Sequence, residues 1–252
     1  MTTTVEPTVA RWLGVLPVLV LLLAWEAVCR IGGISPALLP APTVIAGRAV
    51  VLFGDPDFLL EVGITMRRLA AGFVLALIVG ATLGIAASLW RATAQALTTL
   101  IGVLAPLPKI ALYPALLLTL GFADASKIAL VFADAVFPVL IATFQAVRLV
   151  NPRLLWSAAA MGSSPARSLI RVVLPACLPA IVTGARVAAV IACIVVLLSE
   201  MLASTDGLGH VLVAASRSFR TADMFVPVMI MSLTGFALDK ALGVVARKVA
   251  HA

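Results

Sequence analysis

Between Arg68 and Arg91 lie 22 residues, 69–90, without one charged side chain. A helix of about 20 apolar residues crosses the hydrocarbon core of a bilayer. In water such a segment must be covered on every side, and the rest of the chain offers little cover. Of its 252 residues 63% are hydrophobic and 12% are charged, against about 25% charged in a soluble domain. Mean hydropathy is +1.18. This composition excludes an ordinary soluble domain, a disordered chain and a nucleic-acid-binding module, and it points to lipid as the solvent.

The chain reads as an all-α integral membrane protein with six transmembrane helices, which would occupy about half of it and leave no room for a separate soluble domain. A single membrane domain over 1–252 is expected. Span one is about 12–29. No basic residue precedes Arg11 and no small-residue cleavage site follows the apolar run, so it reads as a retained span and not a signal. A loop rich in Gly and Pro follows, with Asp55, Asp57 and Glu61 at its far end. Span two is 69–90, where Gly80 and Gly84 have the spacing that lets helices approach closely. Span three, about 95–120, contains Pro106, Pro108, Lys109 and Pro114. It cannot be a straight helix, and broken backbone at membrane depth needs protein or a water-filled cavity around it. Spans four, five and six are about 126–147, 175–199 and 224–246. The stretch 200–223, with Gly207, Gly209 and His210, reads as a loop.

Arg148, Arg153, Arg167 and Arg171 occur without an acidic residue among them. Positive charge of this density belongs on the cytoplasmic side. That placement puts both termini in the cytoplasm, Arg247 and Lys248 with them. The net charge of +7 fits basic loops facing anionic headgroups. Cys29, Cys177 and Cys193 lie in apolar stretches with no paired spacing and read as packing residues. His210 and His251 are solitary, so no metal site is expected. Ser204, Asp206 and His210 are near one another in a glycine-rich loop, which is the simpler account of them than a catalytic triad. No phosphate-binding GxxxxGK[ST] loop occurs, so the chain is not expected to be an enzyme, to bind a cofactor or to hydrolyse ATP.

The arginine-rich loop, about 151–171, carries Trp156-Ser157-Ala158-Ala-Ala-Met-Gly162 and, nine residues on, Val172-Val-Leu174-Pro175. This resembles the Glu-Ala-Ala, Gly, Ile-x-Leu-Pro motif of permease subunits of bacterial ABC importers. Gly162, Val172, Leu174 and Pro175 match, Ser157 and Ala158 fall on the two alanines, and Trp156 replaces the glutamate. Leu39-Pro-Ala-Pro42, Arg67-Arg-Leu-Ala-Ala-Gly-Phe73, Leu107-Pro-Lys-Ile-Ala-Leu-Tyr-Pro114 and Glu200-Met-Leu202 before Gly207-Leu-Gly209 are similar to the nitrate, sulfonate, taurine and bicarbonate branch. The resemblance implies a cytoplasmic coupling helix seated in an ATP-binding subunit. It also implies a second permease copy, an external solute-binding protein, periplasmic or lipid-anchored, and a bacterial inner membrane. Its substrate would be a small oxyanion; related permeases carry pyrimidine precursors of thiamine.

Charge inside a membrane costs about 2.5–3.5 kcal/mol at a helix centre. Lys109, Asp134, Arg186 and Glu200 are therefore candidates for the translocation path. Each has a structural alternative. Lys109 could anchor the break, Asp134 could pair with Lys109 or Lys127, Arg186 could pair with an acid, and Glu200 could sit at the interface. Asp239 and Lys240 read as anchors of span six. Two other classes were weighed. An ion-coupled secondary transporter would use Asp134 as its titrating carboxylate. A membrane-embedded enzyme would need a nucleophile–base pair that the sequence does not offer.

Overall fold

Proline and a few side-chain caps set where the helices begin. The computed structural model describes the backbone of residues 7–250 and the side chains of 16–248; residues 1–6, the side chains of the first part of the expected span 12–29, and His251 lie outside the described residues. Every regular element among the described residues is helical. These are α1 (Pro7–Ile31), α2 (Pro42–Leu52), α3 (Pro56–Ser88), α4 (Arg91–Leu104), a 3-10 turn (Lys109–Leu112) leading into α5 (Tyr113–Leu120), and α6 (Asp124–Leu149). Then come α7 (Pro152–Ala160), α8 (Pro165–Ser168), a π-helical turn (Leu169–Val173), α9 (Leu174–Ala203), α10 (Leu208–Arg217) and α11 (Thr221–Ala250). Pro42, Pro152 and Pro165 each open a helix, where the missing N–H leaves no bond unmade. Asn151 and Ser164 cap α7 and α8 by accepting from the N–H of Arg153 at 3.0 Å and of Arg167 at 3.4 Å.

Among the described residues, four helical stretches are long and apolar enough to cross a membrane: Pro56–Ser88, Asp124–Leu149, Pro165–Ala203 and Thr221–Lys248. Arg91–Leu104 and Lys109–Leu120 form a fifth candidate only as one broken span, bent by 83°. The bend falls at Pro106 and Pro108, as their spacing predicts. α1 is helical through the expected first span.

Three elements differ from the sequence reading. α3 starts at Pro56, thirteen residues before the expected span, and takes in Asp57, Glu61, Arg67 and Arg68. The segments read as loops contain α2 and α10. Leu208, Leu212 and Ala215 are buried along α10 at helical spacing; Pro and Gly there mark helix starts and not irregular chain. Finally, helix begins ten residues before the expected span five, at Pro165. The reversal is at Gly162, with φ of +76°, and helix then runs without a gap from Pro165 to Ala203. Pro175 cannot donate to a carbonyl one turn back, and the wider π turn directly before it accommodates that loss.

The described chain forms two compact units, residues up to 60 with 211–229, and 61–210 with 230 onward. In the first, Trp25 meets Phe225 at 5.9 Å. Arg48 grips Asp223 through two hydrogen bonds of 2.5 and 3.0 Å. In the second, α3 and α6 run parallel and touch through glycine. A Cβ at Gly80 would lie 2.9 Å from Val136 O and Val139 Cβ, and one at Gly84 would lie 2.8 Å from Thr143 Cβ. α9 approaches α6 in the same way, with Gly184 against Pro138 O and Ala142. The Gly80/Gly84 spacing is thus a packing seam, in which van der Waals contact replaces the hydrophobic drive that lipid does not supply. Outward faces carry Ile78, Leu83, Ile194, Leu233 and Phe236, all more than half exposed.

Gly80→Leu should destabilise the chain by about 1–3 kcal/mol through overpacking, while Gly102→Ala, where nothing lies within 4 Å, should be neutral or slightly stabilising. Thermal unfolding of the detergent-solubilised variants checks both.

Candidate functional site

The longest polar network in the second unit gathers around Arg68, a side chain 1% exposed. Its Nε donates to Asp124 Oδ1 at 2.7 Å, Nη1 to Glu200 Oε1 at 2.8 Å and Nη2 to Asp206 Oδ1 at 2.6 Å. Glu200 also accepts from Thr65 Oγ1 at 2.8 Å and from the N–H of Gly209 at 3.0 Å. Thr65 in turn accepts from the N–H of Leu208 at 2.8 Å. Arg67 reaches Asp124, and the N–H of Gly207 reaches Glu61. Lys127, equally buried, donates to Phe122 O at 2.6 Å and Ala123 O at 3.3 Å. The network ties α3, the start of α6, the end of α9 and the start of α10. Glu200, singled out for the path, is fully engaged inside it. Burial pushes the Asp206 carboxyl up, but hydrogen bonds from Arg68 and Ser204 hold it below the usual carboxylate range.

A second polar centre sits at the break between α4 and α5. Lys109, 8% exposed, donates to Ala105 O at 2.9 Å, lies 3.3 Å from Asp134 Oδ1 and 4.5 Å above the Phe137 ring. Lys109 and Asp134 together border two hollows of about 470 and 320 Å³. Gln145 and Thr183 add polar groups to the larger one. Arg186 does not join them: its Nε is 2.7 Å from Asp239 Oδ1 on α11. Lys240 lies over the Phe236 ring at 5.1 Å.

The arginine-rich segment forms a third feature. α7 exposes Trp156 at 70%, with Leu154 and Met161 also exposed and Ala158 buried. Ser157 and Gly162 are exposed, Val172 and Leu174 half-buried, and Pro175 exposed. In the 204–210 turn, Ser204 Oγ donates to Asp206 Oδ1 at 2.9 Å, and His210 Nδ1 meets Ser204 O at 3.1 Å. The imidazole thus faces main chain and not the Ser204 hydroxyl. Among the described residues no group of three His, Cys, Asp or Glu is placed to hold a metal ion.

The chain resembles known proteins in sequence and in fold. Residues 58–251 match the family described as binding-protein-dependent transport system inner membrane component. The chain belongs to this family. The taurine transport system permease protein TauC of Escherichia coli (strain K12) is 26% identical over 235 residues, covering 91% of this chain and 86% of that protein. The provisionally named aliphatic sulfonates transport permease protein SsuC of Bacillus subtilis (strain 168) is 29% identical over 236 residues, or 94% and 86%. In solved structures, a chain of the inward-facing MetNI methionine ABC transporter superposes with a TM-score of 0.67 at 16% identity, over 76% of this chain and 95% of that one; that likeness is one of fold. The chain is therefore an ABC-type transport permease, an inner-membrane component, and its relatives place it with the sulfonate and taurine branch.

Within this permease the structure brings Lys109 and Asp134 together and leaves Arg186 and Glu200 in separate pairs. The sequence reading missed Arg68, Thr65 and Asp124 as one unit. The available signal was the cost of burial: Arg68 directly precedes the uncharged run, and Glu200 directly ends another apolar stretch.

Replacing Arg68 by Leu strands Glu200 and Asp206 and should cost about 3–5 kcal/mol; Arg67→Leu, at an exposed position, should cost under about 1 kcal/mol. Because the folded Asp206 carboxyl sits below its unfolded value, its contribution is complete above about pH 4 and is lost as pH falls through the lower folded value. Asp206→Asn should therefore be less stable than the parent at pH 7, with the gap closing on acidification, as followed by thermal unfolding against pH.

Proposed function

We propose that the chain is the membrane-spanning subunit of an ATP-driven importer, one domain of six spans with both termini in the cytoplasm. In this reading α1 is the first span, and α4 with α5 is one broken span. The partners are an ATP-binding subunit, a second copy of this permease and an external solute-binding protein. The observation that carries the reading is α7, a short helix between two apolar stretches. It exposes Trp156, Leu154 and Met161 and is closed by Gly162 at positive φ. Exposed apolar groups of this size on a polar loop suit a protein partner. Trp156, at the place of the motif glutamate, makes that contact apolar where the family's is ionic.

Force on α7 has a direct route inward. Gly162 joins it to Pro165, and Pro165–Ala203 is one helix that packs on α6 through Gly184. Closure of two ATP-binding subunits would push two such helices and tilt α9 against α6. The solute would pass the hollows beside Lys109 and Asp134. A small oxyanion such as a sulfonate, nitrate or bicarbonate would take the Lys109 ammonium in exchange for Asp134. A second reading, a pyrimidine precursor, is favoured by one relative. It is the formylaminopyrimidine transport permease protein ThiX of Halalkalibacterium halodurans, 28% identical over 217 residues and covering 86% of each chain.

Purifying the tagged chain from its own membranes in mild detergent tests the proposal. An ATP-binding subunit should co-purify, and Trp156→Glu should reduce its recovery roughly tenfold or more, as for an interface hot spot. Gly162→Val, strained by about 1–2 kcal/mol at its φ, should do the same. A chain that carries no ATPase, under conditions that preserve a known importer, would overturn the reading in favour of ion-coupled transport through Asp134.

A further inference from the structure

The importer reading uses α7 and the hollows beside Lys109, but not the space between the C-terminal ends of α3 and α6. There, where Ser88 Oγ reaches Phe144 O at 3.5 Å, a cavity of about 810 Å³ opens between the C-termini of α3 and α6 and the start of α4. Trp90, Arg91, Gln95, Thr98 and Arg148 border it. Two guanidinium groups face one cavity with no acid on its walls. No acidic residue occurs in 62–123 or 135–199, and among the described residues neither Arg91 nor Arg148 has a carboxylate partner. Arg148 rests 5.4 Å over the Phe144 ring, a stacking contact that leaves its N–H groups free to donate. α4, fourteen residues long, begins at Arg91, so the positive end of its dipole borders the same space.

We propose that this cavity is an oxyanion site that holds a phosphate group, supplied either by an anionic phospholipid headgroup or by free phosphate. Two arginine forks match phosphate oxygens in pairs, and the Gln95 amide adds a donor. The volume exceeds what a bare phosphate fills and leaves room for a glycerol backbone. The cavity lies where the uncharged run of 69–90 ends, at headgroup depth. Trp90, 65% exposed on its rim, is the residue type that settles at that depth. The site requires only that the chain sit in a membrane, so it stands or falls separately from the importer reading.

The full chain, purified in neutral detergent, would be titrated with phosphatidylglycerol, with phosphatidylcholine and with inorganic phosphate at constant ionic strength. Thermal unfolding and native mass spectrometry would read binding. Phosphatidylglycerol should be retained over phosphatidylcholine, and Arg91→Gln and Arg148→Gln should each weaken it about fivefold, with Lys at either position restoring most of the loss. If phosphate displaces the lipid, the occupant is the free ion; if it does not while the lipid is retained, the occupant is the headgroup. Both outcomes support the site. Equal retention of the two lipids by the wild-type chain, with no protection by phosphate, would overturn it, and that comparison needs no variant to fold.

Discussion

An arginine withdrawn from both water and headgroups must have its charge met inside the protein, and Arg68 is met on three sides. Asp124, Glu200 and Asp206 each take one face of its guanidinium at 2.6–2.8 Å. Three helices and a turn are thereby held by one planar group. The remaining lone pairs of Glu200 go to Thr65 and to the Gly209 N–H, so the carboxylate is buried without an unmet acceptor. Glycine at 207 and 209 is part of the same construction. A side chain at either position would occupy the space of Glu200, and Gly207 adopts φ of +89°. The pair of glycines, the carboxylate and the arginine are one device, spread over 142 residues of sequence.

That spread explains what the sequence made legible. Local patterns were readable: the uncharged run that became most of α3, the proline cluster that bent the third span, and the Gly80/Gly84 seam. Each is a statement about residues near one another in the chain. The start of α3 was not readable, because Asp57, Glu61 and Arg68 look like an argument against membrane helix until their partners are known. Arg68 is neutralised from positions 124, 200 and 206, and Glu61 accepts a hydrogen bond from the N–H of Gly207. α2 and α10 were hidden for a different reason. Pro42 and Gly207 look like turn residues in sequence, yet proline is well suited to the first position of a helix and Gly207 directly precedes one. For the candidate path, charge alone pointed to four residues. Only contacts could divide them into Lys109 with Asp134, Arg186 with Asp239, and Glu200 with Arg68.

The segment around Gly162 shows how a small conformational feature sets a large mechanical one. Gly162 is the reversal, and Ser164, two residues on, caps the helix that follows. From Pro165 onward the backbone is helical into the membrane, with only the π turn at Leu169–Val173 to absorb the missing N–H of Pro175. A helix interrupted by a loop at this point would dissipate a push; a continuous one transmits it. The wider turn is also the softest place in that rod, so rotation of α8 relative to α9 would be concentrated there.

The two ends of the α3–α6 pair are built to opposite electrostatic rules. At the end where Arg68 lies, the buried guanidinium is met by three carboxylates, of which Glu200 is wholly withdrawn from solvent. At the other end, Arg91 and Arg148 face an open cavity with no acid among its lining residues. Between them the facing sides of the two helices pack through glycine against Val136, Val139 and Thr143 and carry no charge. Parallel helices that share a seam of this kind move together or not at all, since sliding one past the other would drive Val139 and Thr143 into the backbone of Gly80 and Gly84. The matched end therefore fixes the register of the whole pair, and the unmatched end leaves the proposed oxyanion cavity to be filled from outside the chain.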